Sequence, residues 1–324
     1  MKRIHQRILD LNRTKSAEFV DAEPARRRYR ARHPTHLAAV KCMDGRVLFP
    51  TLTQTPIGLV RPFRAIGGRP EVFWPSFLGR VRASVEEAMA VGVRNVLFLT
   101  YHFSETDPHL GCAGWSYDAG AARRHAEKLA RDLRYVFGDQ LVAIVAGVET
   151  DRDVLTLHGP GGDASGASLV GASDDEIRAS LVRALPDVDA VTVDDLVPLL
   201  RGNASRVASL IAAPRSLDAK SHAERVLALG QGFDWLHEAN FALIVNDADP
   251  GLARSIEIAA SILAANLERD EEGDEATLFT CVPYDEPGID HRQAIARSKG
   301  LRDFALEVVR AKCPALLAGE RFHA

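Results

Sequence analysis

Apolar positions along this chain gather into short unbroken runs separated by amphipathic stretches. His36-Leu37-Ala38-Ala39-Val40, Asn95-Val96-Leu97-Phe98-Leu99-Thr100-Tyr101 and Gln140 to Val148 are too short for ordinary helices, and they read as buried strands. Between them, Phe77 to Met89 spaces its apolar residues three to four apart and stops at Gly92, which predicts a helix. Asp118 to Phe137, laced with charge, predicts another. Alternation of this kind predicts an α/β fold, a mainly parallel sheet flanked by helices. A loop rich in Pro, Thr and Gly runs from Phe49 to Pro75, long enough to expect a functional role.

The pattern then recurs. Gly159 to Gly166 is small and polar and reads as a linker. Beyond it Ser221 to Gly230 predicts a helix, Asn240 to Asp247 a strand, Leu252 to Leu267 a helix, and Ala276 to Val282 a strand followed by loop and helix. Val40 to Asp44 pairs loosely with Ile244 to Asp247, and Leu97 to His102 with Leu278 to Pro283. An internal duplication with a degenerate second half is therefore expected. The implied division is an arm over residues 1–35, a catalytic domain over 36–160, a linker and helical connection over 161–215, and a ligand-free domain over 216–324.

Charge changes the picture only locally. The chain of 324 residues has a formal net charge of -4, which argues against nucleic acid as a partner. Residues 1 to 34, however, carry ten Lys or Arg against four acidic residues. They read as a helical or partly disordered arm, pinned at Ile8, Leu9 and Leu11, with an acidic protein as a candidate partner. No apolar run is long enough to span a membrane, and the first residues lack the apolar core of a signal peptide, so a cytoplasmic protein is expected. Four cysteines, at 42, 112, 281 and 313, make no disulfide framework. Cys281 and Cys313 lack partners at ligand spacing and read as core residues.

Cys42 and Cys112 are different, because each follows an apolar strand. Together with a histidine from the second segment they supply three soft ligands, the donor set of a catalytic zinc that keeps one position for water. Asp44 and Arg46, two and four residues after Cys42, add a carboxylate and its ionic partner. Held by Arg46, Asp44 can accept the proton of a zinc-bound hydroxide and aim its lone pair at an electrophile. Gly67-Gly68 reads as a tight turn or a substrate-facing backbone, and Trp115 and Tyr117 as packing or as a pocket wall.

Cys42-x-Asp44-x-Arg46, followed by a strand bearing a histidine and then a cysteine, resembles the β-type carbonic anhydrases. Tyr101-His102-Phe103-Ser104, Asp107-Pro108, Gly111-Cys112-Ala113, Gly147 to Asp151 and Ser221-His222-Ala223-Glu224-Arg225 are similar to the divergent carboxysomal shell subgroup, in which the second half of a duplicated fold has lost its metal. The resemblance implies one zinc per chain, held by Cys42, His102 and Cys112, with Asp44 and Arg46 catalytic. His109 also satisfies the ordinary His-x-x-Cys spacing, but the family's histidine sits at the strand end, as His102 does. The implied activity is reversible hydration of carbon dioxide to bicarbonate, with Asp44 orienting the hydroxide or closing the site as a fourth ligand. Hydrolysis of carbonyl sulfide or carbon disulfide on the same scaffold is the rival enzyme, and a catalytically silent zinc-containing assembly protein the rival from another class. A homo-oligomer and carboxysome association are further expectations.

Overall fold

In the computed structural model, residues 3–70, 72–215, 223–231, 240–249, 251–269, 274–318 and 320–324 are described. The arm is helical: α1 (Arg3–Asp21) leads into α2 (Glu23–Arg32). Ile4 and Ile8 are buried, with Leu11 beside them, against Val226, Ala228, Phe241 and Ile244 from the far half of the chain. Tertiary burial therefore holds α1 in place. Leu9, expected to share in this, is exposed.

The first sheet holds the predicted strands and three that the sequence hid. Its members are β1 (His36–Cys42), β2 (Val60–Ala65), β3 (Asn95–Phe103), β4 (Val142–Glu149), β5 (Val154–Gly159) and β6 (Gly162–Ser165). Their order is β2-β1-β3-β4-β5-β6. The first four run parallel, and β5 and β6 close the sheet as an antiparallel hairpin. On one face α3 (Pro75–Ala90) and α4 (Ala119–Phe137) set Val81, Val85, Leu129 and Leu133 over Val40, Leu97 and Leu99. On the other, α5 (Asp174–Ala184) and α6 (Ala190–Ala212) set Ile177, Leu181, Leu196 and Leu200 over Leu37, Phe98 and Ile144. Helices on both faces explain why β1 and β3 read as continuous apolar runs.

Two expectations are corrected here. The long loop from Phe49 contains a short helix, Phe49–Thr53, and the edge strand β2. The linker at Gly159 to Gly166 is the turn and second strand of the β5–β6 hairpin. Its glycines serve close approach: a Cβ on Gly159 or Gly161 would collide with the carbonyl oxygen of Ala184 or Arg183 at the end of α5. The segment expected to link two domains is thus a helical layer of the first one.

The second sheet is parallel throughout, with β7 (Val226–Gly230), β8 (Ala242–Val245), β9 (Ala276–Cys281) and β10 (Phe322–His323) in the order β10-β9-β7-β8. α7 (Leu252–Arg269) and α8 (Ile289–Lys312) cover it with Ile256, Leu263, Ala305 and Val309. Val226 to Gly230 is therefore a strand, where a helix was expected; Ser221 and His222 lie outside the described residues. The strand order of this sheet repeats that of β2-β1-β3-β4. The register also agrees, since Leu37 faces Val60 and Val96 as Val226 faces Ala242 and Thr277. The counterpart of β1 is consequently β7, and β8, which the sequence pairs with β1, corresponds to β2. On this register Cys42 matches Gln231 and His102 matches Pro283.

Candidate metal centre

The parallel register of β1 and β3 brings their carboxyl ends together, and the site lies there. Cys42 is the last residue of β1 and His102 the penultimate residue of β3. Cys112 closes the loop after β3 and leads into a short turn, Ala113–Trp115. One donor atom from each of these three lies within 4.8 Å of the others, and all three residues are buried. The two sulfurs stand 3.7 Å apart. Among the described residues neither ring nitrogen of His102 has a hydrogen-bond partner, although the side chain is almost fully buried. An imidazole stranded in this way is costly unless something occupies its lone pair, so this donor set fits a soft divalent cation. His109 is exposed, its ring against Tyr117 at 5.1 Å, and it stands outside the cluster.

The thiols are electrostatically unequal. A hydrogen bond with Cys112 draws the Cys42 thiol well below its ordinary value, with attraction from His102 helping against burial. The Cys112 thiol is driven well above its own, by the same bond and by burial. Two sulfurs this close resist double ionisation, and a bound cation relieves that resistance.

Beside the cluster, Arg46 grips Asp44 from several directions. Its Nη2 donates to Oδ2 at 2.6 Å, its Nε to Oδ1 at 3.1 Å and its backbone N–H to Oδ1 at 2.8 Å. The same guanidinium donates to the Leu110 carbonyl at 2.8 Å, tying the dyad to the loop that carries Cys112. Asp44 Oδ2 lies 3.8 Å from His102 Nε2. Both members of the dyad are buried.

Three further groups shape the site. Gly68, at φ +63, brings its backbone against the Thr100 carbonyl, where a Cβ would sit at 2.8 Å. Trp115 donates from Nε1 to the Gly67 carbonyl at 2.8 Å and lies under the Arg69 guanidinium at 4.2 Å, so the Gly67-Gly68 segment is a tight turn packed on the indole. Tyr117 is half-exposed. Arg64, which the sequence reading passed over as part of a loop, is buried and donates to the carbonyls of Cys42 at 2.9 Å and Asp44 at 3.1 Å. Asp151 accepts from Ser104 Oγ at 3.0 Å and from the backbone N–H groups of Glu105 and Thr106 at 2.9 and 3.0 Å, anchoring the loop that leads to Cys112.

The second sheet closes the site from outside. Cys42, Met43, Ile66 and Cys112 share one apolar cluster with Leu227, Leu229 and Leu243. The Met43 carbonyl accepts from the Ile244 N–H at 3.0 Å, joining the two halves beside the cysteine. From the second half, Glu224 is fully buried and contributes negative charge near Arg46.

A family model described as carboxysome shell carbonic anhydrase, catalytic domain, matches residues 73–181, about a third of the chain. The matched span contains His102, Cys112 and Asp151, whereas Cys42, Asp44 and Arg46 precede it. No curated protein matches the chain. No helix among the described residues is long and apolar enough to cross a membrane.

Proposed function

Because residues 73–181 match the catalytic-domain model of the carboxysome shell carbonic anhydrases, we propose that this chain is a zinc-dependent carbonic anhydrase catalysing the reversible hydration of carbon dioxide to bicarbonate. The observation that carries the reading is the buried cluster of Cys42, His102 and Cys112, with an imidazole whose nitrogens lie in hydrogen-bonding geometry with no described residue. These three residues would hold the ion. A zinc ion held there by two thiolates and one imidazole would lower the pKa of a bound water and so supply a nucleophile near neutral pH.

The chain's own residues do the rest. Asp44 accepts a hydrogen bond from the attacking water and turns its lone pair toward the carbon. Arg46 holds both carboxylate oxygens, so Asp44 cannot rotate without breaking buried charge-assisted bonds. Met43, Ile66 and Leu229 give the site an apolar surround that suits a small uncharged substrate. The shared strand order of the two sheets supports an internal duplication with one metal per chain, Gln231 and Pro283 standing where ligands would be. Carboxysome association belongs to the same proposal, as does an acidic protein partner for Arg27, Arg28 and Arg32, which α2 leaves exposed.

A stopped-flow hydration assay on the zinc-loaded protein tests this reading, with Cys42→Ala as control. Acceleration that depends on zinc and on Cys42 is expected. Stoichiometric zinc without acceleration would overturn it in favour of a silent zinc protein.

A further inference from the structure

A cavity of about 570 Å3 opens between β2 and β8, the edge strands that face each other where the two sheets meet. Five arginines line it: Arg30, Arg61, Arg64, Arg80 and Arg297. No Asp or Glu is among the described lining residues. Glu87 pairs with Arg61 at 2.8 Å, and Asp247 pairs with Arg80 at 2.8 Å and Arg297 at 3.1 Å. Among the described residues, two carboxylates thus answer three of the five guanidiniums, and positive charge remains in excess. His36, also on the wall, adds a hydrogen bond to Ser84 at 2.9 Å and no negative charge.

The arginines are held in position before any ligand arrives. Arg80 is fixed on Asn246 and Asp247, and Arg64 on the carbonyls of Cys42 and Asp44. Preorganised guanidiniums offer paired N–H donors to oxyanions at little further entropic cost. Phe63 and Ile244 supply apolar wall, which a bare inorganic ion would not use. The volume falls within the usual range for small-molecule sites, and a bicarbonate ion would fill only a small part of it. Gln231, the counterpart of Cys42 in the second sheet, also lines the cavity, so the ligand-free strand end opens into it.

We propose that this cavity binds a small organic polyanion, a ligand whose phosphate or carboxylate groups together carry at least two negative charges. It is distinct from the metal centre and independent of the reaction catalysed there. Arg64 nevertheless touches both, because the guanidinium that lines the cavity also tethers the strand end bearing Cys42 and Asp44.

Isothermal titration of the full-length, zinc-loaded protein tests the proposal with inorganic pyrophosphate, citrate and bicarbonate as probes. Saturable one-to-one binding of pyrophosphate or citrate is expected, weakening as salt is raised. Whichever binds tighter identifies phosphate or carboxylate as the source chemistry. Arg30 and Arg61 lie at the exposed rim, so the Arg30→Gln/Arg61→Gln protein should keep its unliganded melting temperature and bind about tenfold more weakly. The charge-keeping Arg61→Lys protein should stay within roughly threefold of the original. Saturation by neither polyanion, equal affinity for bicarbonate, or unchanged binding in the double variant would each overturn the proposal. None of these outcomes depends on hydration activity, so the cavity and the metal centre stand or fall separately.

Discussion

The sulfurs of Cys42 and Cys112 lie 3.7 Å apart although seventy positions separate the two residues in sequence. A disulfide would need about 2.05 Å. Two thiolates on one tetrahedral zinc, each at about 2.3 Å from the ion, stand about 3.8 Å apart. The ends of β1 and of the loop after β3 therefore hold the pair at the edge length of a metal tetrahedron, with His102 beside them.

If these three residues hold the ion, Cys42→Ala, His102→Ala and Cys112→Ala should each purify without stoichiometric zinc, measured by elemental analysis. His109→Ala should retain it, because His109 is exposed and outside the cluster. Full zinc occupancy in the His102→Ala protein would assign the imidazole elsewhere.

The Asp44–Arg46 dyad separates stability from chemistry. Arg46→Ala leaves the buried Asp44 without its main cation, and removing one member of such a pair costs about 3–5 kcal/mol. A melting temperature lower by roughly 10 °C is expected in calorimetry. Asp44→Asn keeps the shape and loses the charge. That protein should still bind zinc, yet hydrate carbon dioxide on the order of a hundredfold more slowly. An Asp44→Asn protein with undiminished turnover would remove Asp44 from the chemistry.

Much of this candidate site was legible in the sequence because Cys42 and His102 sit at the ends of buried strands, and long apolar runs such as Asn95 to Tyr101 announce those strands. β2 was hidden because Val60-Arg61-Pro62-Phe63-Arg64-Ala65 carries a proline and two arginines, which an edge strand tolerates and a central one does not. β7 was hidden for a different reason: Val226-Leu227-Ala228-Leu229-Gly230 is short and rich in Leu and Ala, so periodicity cannot separate strand from helix there. Without β7, the sequence pairs β8 with β1, whereas the strand order sets β8 against β2. The glycines of the β5–β6 hairpin looked like flexibility because the carbonyls they approach, those of Arg183 and Ala184, lie more than twenty residues away. Arg64 and Asp151 could not be assigned roles either, since each acts by gripping backbone of another segment, which no local spacing encodes.

Asp151 carries the loop that delivers Cys112. Burial works to raise its carboxyl pKa, yet hydrogen bonds from the Thr106 backbone and Ser104 bring it below the ordinary value. Asp151→Ala strands those donors and frees the loop. Zinc affinity measured by chelator competition should fall about tenfold or more, the usual effect of losing an outer support of a metal ligand. Affinity equal to that of the unmodified protein would show that Cys112 is positioned without this anchor.

Glu149 makes stability depend on pH in the opposite sense from a salt-bridged carboxylate. Burial pushes its carboxyl up to about 7, against a hydrogen bond from the Asp151 backbone N–H and with added repulsion from the Asp151 charge. The folded value thus lies above the unfolded value of 4.5. Between those two values the folded chain holds a proton that the unfolded chain has released, so stability falls as pH rises from about 4.5 to about 7 and levels off above. Glu149→Gln removes the titration while keeping an acceptor for the Asp151 N–H. Urea midpoints measured at intervals across this range should decline more steeply in the unmodified protein than in Glu149→Gln. Superimposable pH profiles would show that Glu149 ionises equally well in the folded and unfolded chain, and that the end of β4 admits water the fold otherwise excludes.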